Sequence, residues 1–407
     1  MEKICRRISE IGTVVGGGTP STKNPDYWGG DIPWISPKDL TDYKSVYISK
    51  GENFLTEKGL KSGTRLLPKN TLLFSSRAPI GYVALAANPI CTNQGFKSIV
   101  CDEKQVVPLY LYYYMKANLD YIKLFGTGAT FPEISGKTMG KIKVEIFKSL
   151  DVQHRIASIL STYDSLIENN TKRIRLLEKM AENLYKEWFV RFRFPGHENV
   201  EMENGLPKGW TVITANDRYD ITIGKTPPRK EAKWFVKNSQ KAINWLSIAD
   251  MKEMFAKKTN EQLTYEAIKR FNIVVVQPGT ILLSFKLTVG RVAIASCPLC
   301  TNEAIAHFQN VEPIEKEYLY MLLKHYQYDK LGNTSAIGNA INSKIVKNMQ
   351  LVLPNGGVLE MFHQKCKQYF AEISNLQHQN SLLARQRDLL LPRLMSGKLE
   401  VKEELLE

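Results

Sequence analysis

Three short patterns in this sequence contain residue types and spacings that could do chemistry. Pro25-Asp26, followed by Asp42 and Lys44, offers two carboxylates and an ammonium group, a set that can hold Mg²⁺ and activate water in a nuclease. Cys297 and Cys300 have the spacing of half a zinc site. Gly136-Lys137-Thr138 ends in the way that a phosphate-binding loop ends.

Each of these patterns lacks a part that its chemistry requires. The cysteine pair has no second Cys or His pair at a suitable spacing, and zinc needs about four ligands. Phe131 stands where a phosphate-binding loop needs its first glycine. Neither zinc nor ATP binding is therefore expected. A metal-dependent nuclease that uses Asp26, Asp42 and Lys44 remains as an alternative.

A larger set of basic and amide side chains lies beside turns and aromatic residues. Such side chains contact the phosphates and base edges of nucleic acids. Lys and Arg number 55 against 41 Asp and Glu, and the resulting net charge of +14 favours a polyanion as partner. The candidate DNA-binding residues are Lys38, Arg77, Gln94, Lys97, Thr130, Ser135, Lys137, Arg229, Lys230, Lys286, Arg291, Asn302, Asn339, Asn342 and Lys344.

Ser135 and Asn342 each stand where a short helix is expected to begin. Both are good N-cap residues, and the free N–H groups of the helix that follows can hold a phosphate. A plain capped turn is the alternative at both positions.

These candidates are divided between two related halves of the chain. Residues 11–167 are repeated, with drift, in residues 220–376; for example, Cys91-Thr92-Asn93 returns as Cys300-Thr301-Asn302. Each copy is too long to be a solenoid unit and is expected to be a whole domain. Short apolar runs predict buried strands, and longer ones predict helices, so each copy is expected to be α+β. The predicted strands are 72–74, 83–85, 281–283 and 292–294, and the predicted helices are 109–119 and 318–323.

Each copy is followed by a heptad pattern, in which apolar residues recur at alternating steps of four and three. One seam consists of Ile156, Leu160, Tyr163, Ile167, Asn170, Ile174, Leu177, Ala181, Leu184 and Trp188, and the other of Phe362, Cys366, Tyr369, Ile373, Leu376, Asn380 and Leu383. A strict heptad favours two helices packed as a coiled coil, and one polar seam residue fixes their register. We expect an intramolecular antiparallel pair, with a first helix from Asp151 to Val190 that is roughly 60 Å long.

Composition sets the broad class of protein. The chain has 407 residues, of which 43% are hydrophobic, enough for two or three domains with sizeable cores. The first residues lack the apolar run of a signal peptide, and no run approaches the about 18 apolar residues of a membrane span. The six cysteines do not follow a disulfide-scaffold pattern, so a cytoplasmic location is expected.

Several segments together resemble the DNA-specificity subunit of type I restriction–modification systems. They are Ile8–Gly12, Gly17–Ser21, Trp28–Ile35, Gln153–Ala157, Glu187–Phe189, Leu206–Trp210 and Leu390–Leu399. The resemblance extends over essentially the whole chain. In the second copy, Lys225 to Arg229 replaces the glycine-rich opening turn, which puts DNA contacts by that turn in question.

The resemblance implies a fold of two duplicated α+β target-recognition domains separated by a long antiparallel helical coiled coil. Its expected boundaries are 1–150 for the first recognition domain, 151–195 for a central spacer helix, 196–355 for a linker and the second recognition domain, and 356–407 for a C-terminal spacer helix. Each recognition domain would read one half of a bipartite, gapped site in double-stranded DNA. The helices would set the gap and dock two modification (methyltransferase) subunits and, through them, restriction subunits with translocase and endonuclease activity.

Such a subunit is not an enzyme and needs no cofactor. S-adenosylmethionine, ATP and Mg²⁺ would belong to the partner subunits. Two functions from other classes remain as alternatives: the stand-alone nuclease, and a duplicated scaffold that binds only protein.

Overall fold

The structure is a computed structural model that describes residues 2–128, 132–331 and 341–401. These residues form two compact units. The first comprises residues 2–170 and 379–401, and the second comprises the described residues between 171 and 378. Each unit contains one α+β copy and a segment of each of two long helices.

In the α+β part of the first unit, the described residues form ten strands and five short α-helices. In chain order they are β1 (Lys3–Arg7), α1 (Ile8–Ile11), β2 (Gly12–Gly16), β3 (Trp28–Ile35), β4 (Tyr47–Ile48), β5 (Asn53–Leu55), α2 (Glu57–Lys61), β6 (Leu72–Phe74), β7 (Val83–Ala86), β8 (Cys91–Thr92), β9 (Lys97–Cys101), α3 (Pro108–Ala117), α4 (Leu119–Lys123), α5 (Gly136–Lys141) and β10 (Lys143–Phe147).

The strands of this unit form one five-stranded sheet and two smaller ones. The large sheet has the order β2-β9-β6-β7-β4, a three-stranded sheet has the order β5-β3-β8, and β1 pairs with β10. The central strand β6 is buried on both faces. Leu72 and Phe74 pack in the core that includes α3, whereas Leu73 packs in a second core with Ile35. Burial on both sides explains why this strand is an unbroken apolar run.

The long helix α6 (Leu150–Tyr185) leads into the second unit, and a π-helical turn covers Lys186–Val190. The elements that follow are β11 (Met202–Glu203), β12 (Leu206–Pro207), β13 (Thr211–Thr214), α7 (Ala215–Arg218), β14 (Asp220–Ile223), β15 (Phe235–Val236), β16 (Ala242–Leu246), β17 (Phe255–Ala256), β18 (Glu261–Thr264), α8 (Tyr265–Arg270), β19 (Ile281–Ser284), β20 (Val292–Ala295), β21 (Leu299–Thr301), β22 (Ile305–Gln309), α9 (Lys316–Lys324), α10 (Ser343–Lys347), β23 (Gln350–Leu353) and α11 (Gly356–Ser396).

The second unit repeats the topology of the first. Its five-stranded sheet has the order β14-β22-β19-β20-β17, strand for strand the order of the first sheet. A four-stranded sheet, β15-β18-β16-β21, adds one edge strand to the arrangement of β5-β3-β8, and β13 pairs with β23 as β1 pairs with β10. The predicted strands at 72–74, 83–85, 281–283 and 292–294 are confirmed, and so is the duplicated α+β fold.

The two long helices are antiparallel, as the seams predicted. In the first unit, Asn170 of α6 donates a hydrogen bond to Gln379 of α11 over 3.3 Å, and Asp164 is paired with Arg387. In the second unit, Arg173 lies 2.7 Å from Glu372. The contacting residues on α11 therefore have decreasing residue numbers as those on α6 increase, which is the order of an antiparallel pair. Every residue of both seams is buried or half-buried.

No helix in the described part of the chain is both long enough and apolar enough to cross a membrane.

Candidate functional site

The first copy brings two of the candidate residues, Arg77 and Lys97, together around an acidic side chain. Arg77 lies in the loop between β6 and β7, and Lys97 is the first residue of β9. The carboxylate of Glu133 lies 3.4 Å from Arg77 Nη1 and 3.1 Å from Lys97 Nζ. Lys97 Nζ also donates to the backbone carbonyl of Gln94 over 3.3 Å.

The two cations of this cluster differ in what they can do. The side chain of Lys97 is only 15% exposed, so its ammonium group mainly balances the charge of Glu133 within the protein. The side chain of Arg77 is 38% exposed, and its guanidinium group can be approached from solvent. Arg77 is therefore the member of the pair that is placed to contact an external anion or base.

Hydrogen bonds from Ser75 hold the loop that carries Arg77. Ser75 Oγ donates to the carbonyl of Pro79 over 2.8 Å and accepts from the N–H of Tyr82 at 2.7 Å. The N–H of Ile134 donates to the carbonyl of Ser76 over 3.0 Å, which joins this loop to the segment of Glu133. Arg77 therefore lies on a turn whose backbone is held by hydrogen bonds.

A tight turn between β8 and β9 holds Gln94. Asn93 Oδ1 accepts from the N–H of Gly95 at 2.9 Å, and the hydroxyl of Thr19 donates to Gln94 Oε1. The opening loop approaches this turn so closely that a Cβ on Gly17 would lie 1.9 Å from the carbonyl oxygen of Asn93. The close approach accounts for the glycine run in the sequence.

Three further candidates of the first copy, Lys38, Ser135 and Lys137, lie in the described part of the chain. Lys38 Nζ pairs with Glu52 at 2.9 Å, and the hydrogen bond and charge of Glu52 raise the pKa of that lysine. Ser135 caps α5 by accepting from the N–H of Thr138 at 3.0 Å, and Lys137 is exposed on that helix. Thr130 lies outside the described residues.

The second copy repeats the tight turn that precedes the last strand of its sheet, but with an acidic residue in place of the neutral Gln94. Asn302 Oδ1 accepts from the N–H of Ala304 at 3.2 Å, as Asn93 does in the first copy. Thr226 donates its hydroxyl to Glu303, in the place of Thr19 and Gln94. Asn302 is thus mainly a turn-forming residue, and the neutral amide of the first copy becomes a carboxylate in the second.

Arg229 is held by an acid and two aromatic rings. Its Nη1 lies 3.0 and 2.8 Å from the carboxylate oxygens of Glu261. Its guanidinium carbon is 4.2 Å from the ring centre of Phe235 and 4.5 Å from that of Trp245. The side chain remains 50% exposed. Lys230 follows in an exposed turn, so this opening loop presents one oriented and one solvated cation.

Lys286 and Arg291 lie at opposite ends of the loop between β19 and β20. Lys286 is exposed, with Nζ 5.6 Å from the ring centre of Phe285. Arg291 Nη1 donates to the backbone carbonyl of Ile248 over 2.9 Å, so this arginine holds a neighbouring turn in place.

Two further candidates of the second copy, Asn342 and Lys344, lie at α10. Asn342 caps this helix by accepting from the N–H of Ile345 at 3.0 Å, and Lys344 is exposed on it. The N-cap predictions for Ser135 and Asn342 are confirmed, although α5 and α10 have only 6 and 5 residues. Asn339 lies outside the described residues.

Sequence reasoning missed the acidic and hydroxyl partners of these cations and amides. Glu133 and Glu261 orient Arg77 and Arg229, and their positions carry no local signal because the partners are far apart in the chain. The two hydroxyl partners could have been predicted from the sequence repeat, since Thr19-Pro20 returns as Thr226-Pro227.

The cysteine pair does not have the chemistry of a zinc site. Burial raises the pKa of the Cys300 thiol to about 12 and that of its counterpart Cys91 to about 11. Zinc binds the thiolate, which burial disfavours here. Among the described residues, no group of three or more His, Cys, Asp and Glu side chains is arranged to hold a metal. Asp26, from the nuclease pattern, lies 3.4 Å from Lys58.

Comparison with known proteins adds independent information. Residues 3–179 and 207–364 match the family model of the type I restriction modification DNA specificity domain. The type I restriction enzyme MjaIX specificity subunit of Methanocaldococcus jannaschii is 36% identical over 98% of this chain and 94% of its own length. The HindI specificity subunit of Haemophilus influenzae is 23% identical over 89% of each chain. The crystal structure of the S subunit of a type I restriction–modification system from M. genitalium shares the fold, with a TM-score of 0.61 over 97% of this chain and 96% of its own, at 15% identity.

Proposed function

Since this chain belongs to the family of type I restriction–modification DNA specificity subunits, we propose that it binds a bipartite, gapped site in double-stranded DNA through its two α+β copies. The family is not catalytic, and nothing in the comparisons supports the nuclease alternative. The observation that carries the proposal is the repeated turn, which places Gln94 and Glu303 at matching positions of two copies with the same sheet order.

We assign one half-site to residues 1–150 and the other to residues 196–355. The two copies carry different side chains on the same frame. Ser36 and Asp39 form the same capping box as Ser247 and Asp250. Lys38 of the first copy is therefore equivalent in position to Ala249 of the second. Because base edges are read by local side-chain contacts, copies with different side chains should read different half-sites.

The helical regions 151–195 and 356–407 are proposed to set the gap and to dock two modification subunits, which in turn hold restriction subunits. Large apolar side chains remain exposed on both helices, among them Leu176 at 66%, Met180 at 48% and Leu389 at 56%. Exposed apolar residues on a helix pair are suited to packing against helices of another subunit. S-adenosylmethionine, ATP and Mg²⁺ are assigned to those partners.

The test is a selection from random DNA duplexes by the purified chain assembled with its modification subunits. The selected duplexes should share one asymmetric motif with an unread gap. Binding to that motif should weaken steeply as salt rises, because Lys and Arg contacts to phosphates release counterions. A single continuous motif that is protected by one copy alone would contradict the proposal. Loss of all DNA binding, with and without the partners, would instead favour a scaffold that binds only protein.

A further inference from the structure

The loop between β19 and β20 presents a leucine to solvent. Leu287 is 98% exposed, and its φ of 61° lies in the left-handed region, which a leucine adopts at an energetic cost. Isolated exposed apolar residues are common on protein surfaces. Leu287 differs from such residues in how its loop is held and in what surrounds it.

The loop is fixed at both ends by the residue that begins it. Ser284 Oγ donates to the carbonyl of Thr288 over 2.6 Å and accepts from the N–H of Arg291 at 2.9 Å. The N–H of Gly290 donates to the Ser284 carbonyl over 2.9 Å, and the side chain of Phe285 is buried. The backbone that carries Leu287 is consequently held in place before any ligand binds, which lowers the entropy cost of ordering this loop on contact.

The loop lies among the candidate DNA contacts of the second copy. The N–H of Phe285 donates to the carbonyl of Ala304 over 2.9 Å, which places the loop beside the turn of Asn302. Lys286, the residue before the leucine, is exposed. The matching loop of the first copy carries Arg77 and, in the position of the leucine, Ala78, whose φ is 48°.

We propose that Leu287 is a specificity-determining residue that contacts the C5 methyl group of a thymine in the half-site of the second copy. The inference rests on the proposed function and names a base-contacting residue within it. In the major groove, thymine presents a methyl group that cytosine lacks, and an apolar side chain distinguishes the two by contact with it. The neighbouring Lys286 provides a positive charge for the adjacent phosphates.

The test removes the methyl group from the DNA and the side chain from the protein separately. With the selected site and the full complex, each thymine of the second half-site is replaced by deoxyuridine. The complex should bind about three- to fivefold more weakly at one position, the effect of losing one buried methyl group. The Leu287→Ala complex should bind the thymine and uracil duplexes equally. Leu287→Met, which keeps an apolar side chain of similar reach, should retain the uracil effect.

Leu124→Ala provides the matched control, because this leucine is 80% exposed in the first unit. That variant should respond to uracil in the second half-site as the unaltered complex does. The proposal is overturned if Leu287→Ala keeps the full uracil effect, if no thymine of the second half-site responds, or if the substitution weakens only the assembly with modification subunits. Failure of the unaltered complex to select a bipartite motif would be a separate result, against the proposed function itself.

Discussion

His307 is a titratable side chain that lies entirely inside the second unit. Its Nε2 is 2.7 Å from Thr301 Oγ1, and its Nδ1 is 2.9 Å from Thr222 Oγ1. Burial lowers the pKa of this imidazole to about 4 from its ordinary value of 6.5. Neutral histidine satisfies both hydroxyl contacts, since one ring nitrogen donates and the other accepts.

This histidine should make the stability of the unit depend on pH. Between pH 6.5 and 4 the unfolded chain binds a proton that the folded chain does not, so stability falls as pH falls through that window. From pH 7 to pH 5 the contribution of His307 to the free energy of unfolding should fall by about 2 kcal/mol. Urea denaturation at both pH values measures the change for the unaltered chain, for His307→Gln, which should lack this contribution, and for His154→Gln at an exposed site. An equal pH effect in the unaltered chain and both variants would refute the assignment.

Arg229 and Lys230, in the opening loop of the second copy, should contribute differently to DNA binding, the first to specificity and the second to affinity. Arg229 is oriented by Glu261 and stacked on Trp245, so Arg229→Lys should relax discrimination at one base pair by about 1–3 kcal/mol. Lys230 is exposed, and Lys230→Ala should weaken binding to all sequences alike and lower the salt slope by about one. Titrations of matched and mismatched duplexes at several salt concentrations compare the two. Uniform weakening by Arg229→Lys would show that this arginine contacts only phosphate.

At the scale of elements, a buried ion pair joins the two long helices within the first unit. Asp164 is 6% exposed and Arg387 17%, and Tyr113 of α3 donates to the same carboxylate over 2.6 Å. Asp164→Ala leaves the guanidinium of Arg387 with only the exposed Asp388 as an acidic partner and removes the acceptor of the Tyr113 hydroxyl, so it should lower the free energy of unfolding by about 3 kcal/mol. Arg173→Met breaks the exposed pair with Glu372 and should change stability by less than about 1 kcal/mol. Denaturant titrations of both variants check the contrast, and equal losses would contradict it.

The helix pair should also control the length of the gap. One heptad added after Asn170 and another near Asn380 keep both seams in phase and lengthen each helix by about 10 Å. The selected motif should then keep both half-site sequences, while its gap grows by roughly three base pairs. Insertion of two residues at the same places breaks the seam and serves as the control. An active complex with both heptads and an unchanged gap would show that another element sets the distance.

How far sequence predicts each element depends on how much pattern that element contains. The heptad seams extend over many turns, so both helices and their antiparallel pairing were predicted. Central strands such as β6 and β19 are apolar on both faces and were also predicted. The strands β4 and β17 have two residues each, too few to show a period. The contacts of Glu133 with Arg77 and Lys97 were not predicted, because only the folded chain brings these residues together.

At the scale of the whole molecule, the two copies should read DNA independently. Exchange of residues 206–354 for the equivalent segment of another specificity subunit should change one half of the methylated motif and leave the other half intact. The reason is that base pairs are read by contacts local to each copy. Mapping of methylated bases in a host that carries the exchanged chain gives the answer. A motif altered in both halves would show that the copies influence each other.

The hydrogen bond between Asn170 and Gln379 joins residues 209 positions apart, the same separation as that of Cys91 and Cys300 in the two copies. Nearer to the long helices the repeat offset is 207, the separation of the N-cap residues Ser135 and Asn342. Each partner of the hydrogen bond therefore lies about two residues from the repeat counterpart of the other, close to the arrangement of an isologous interface between identical subunits. A single-copy ancestor could have made this contact only as a homodimer, with a symmetric target. Fusion of two such genes removes the dependence of pairing on concentration. It also frees each recognition domain to evolve separately, so that one subunit can acquire an asymmetric target by mutating half of itself.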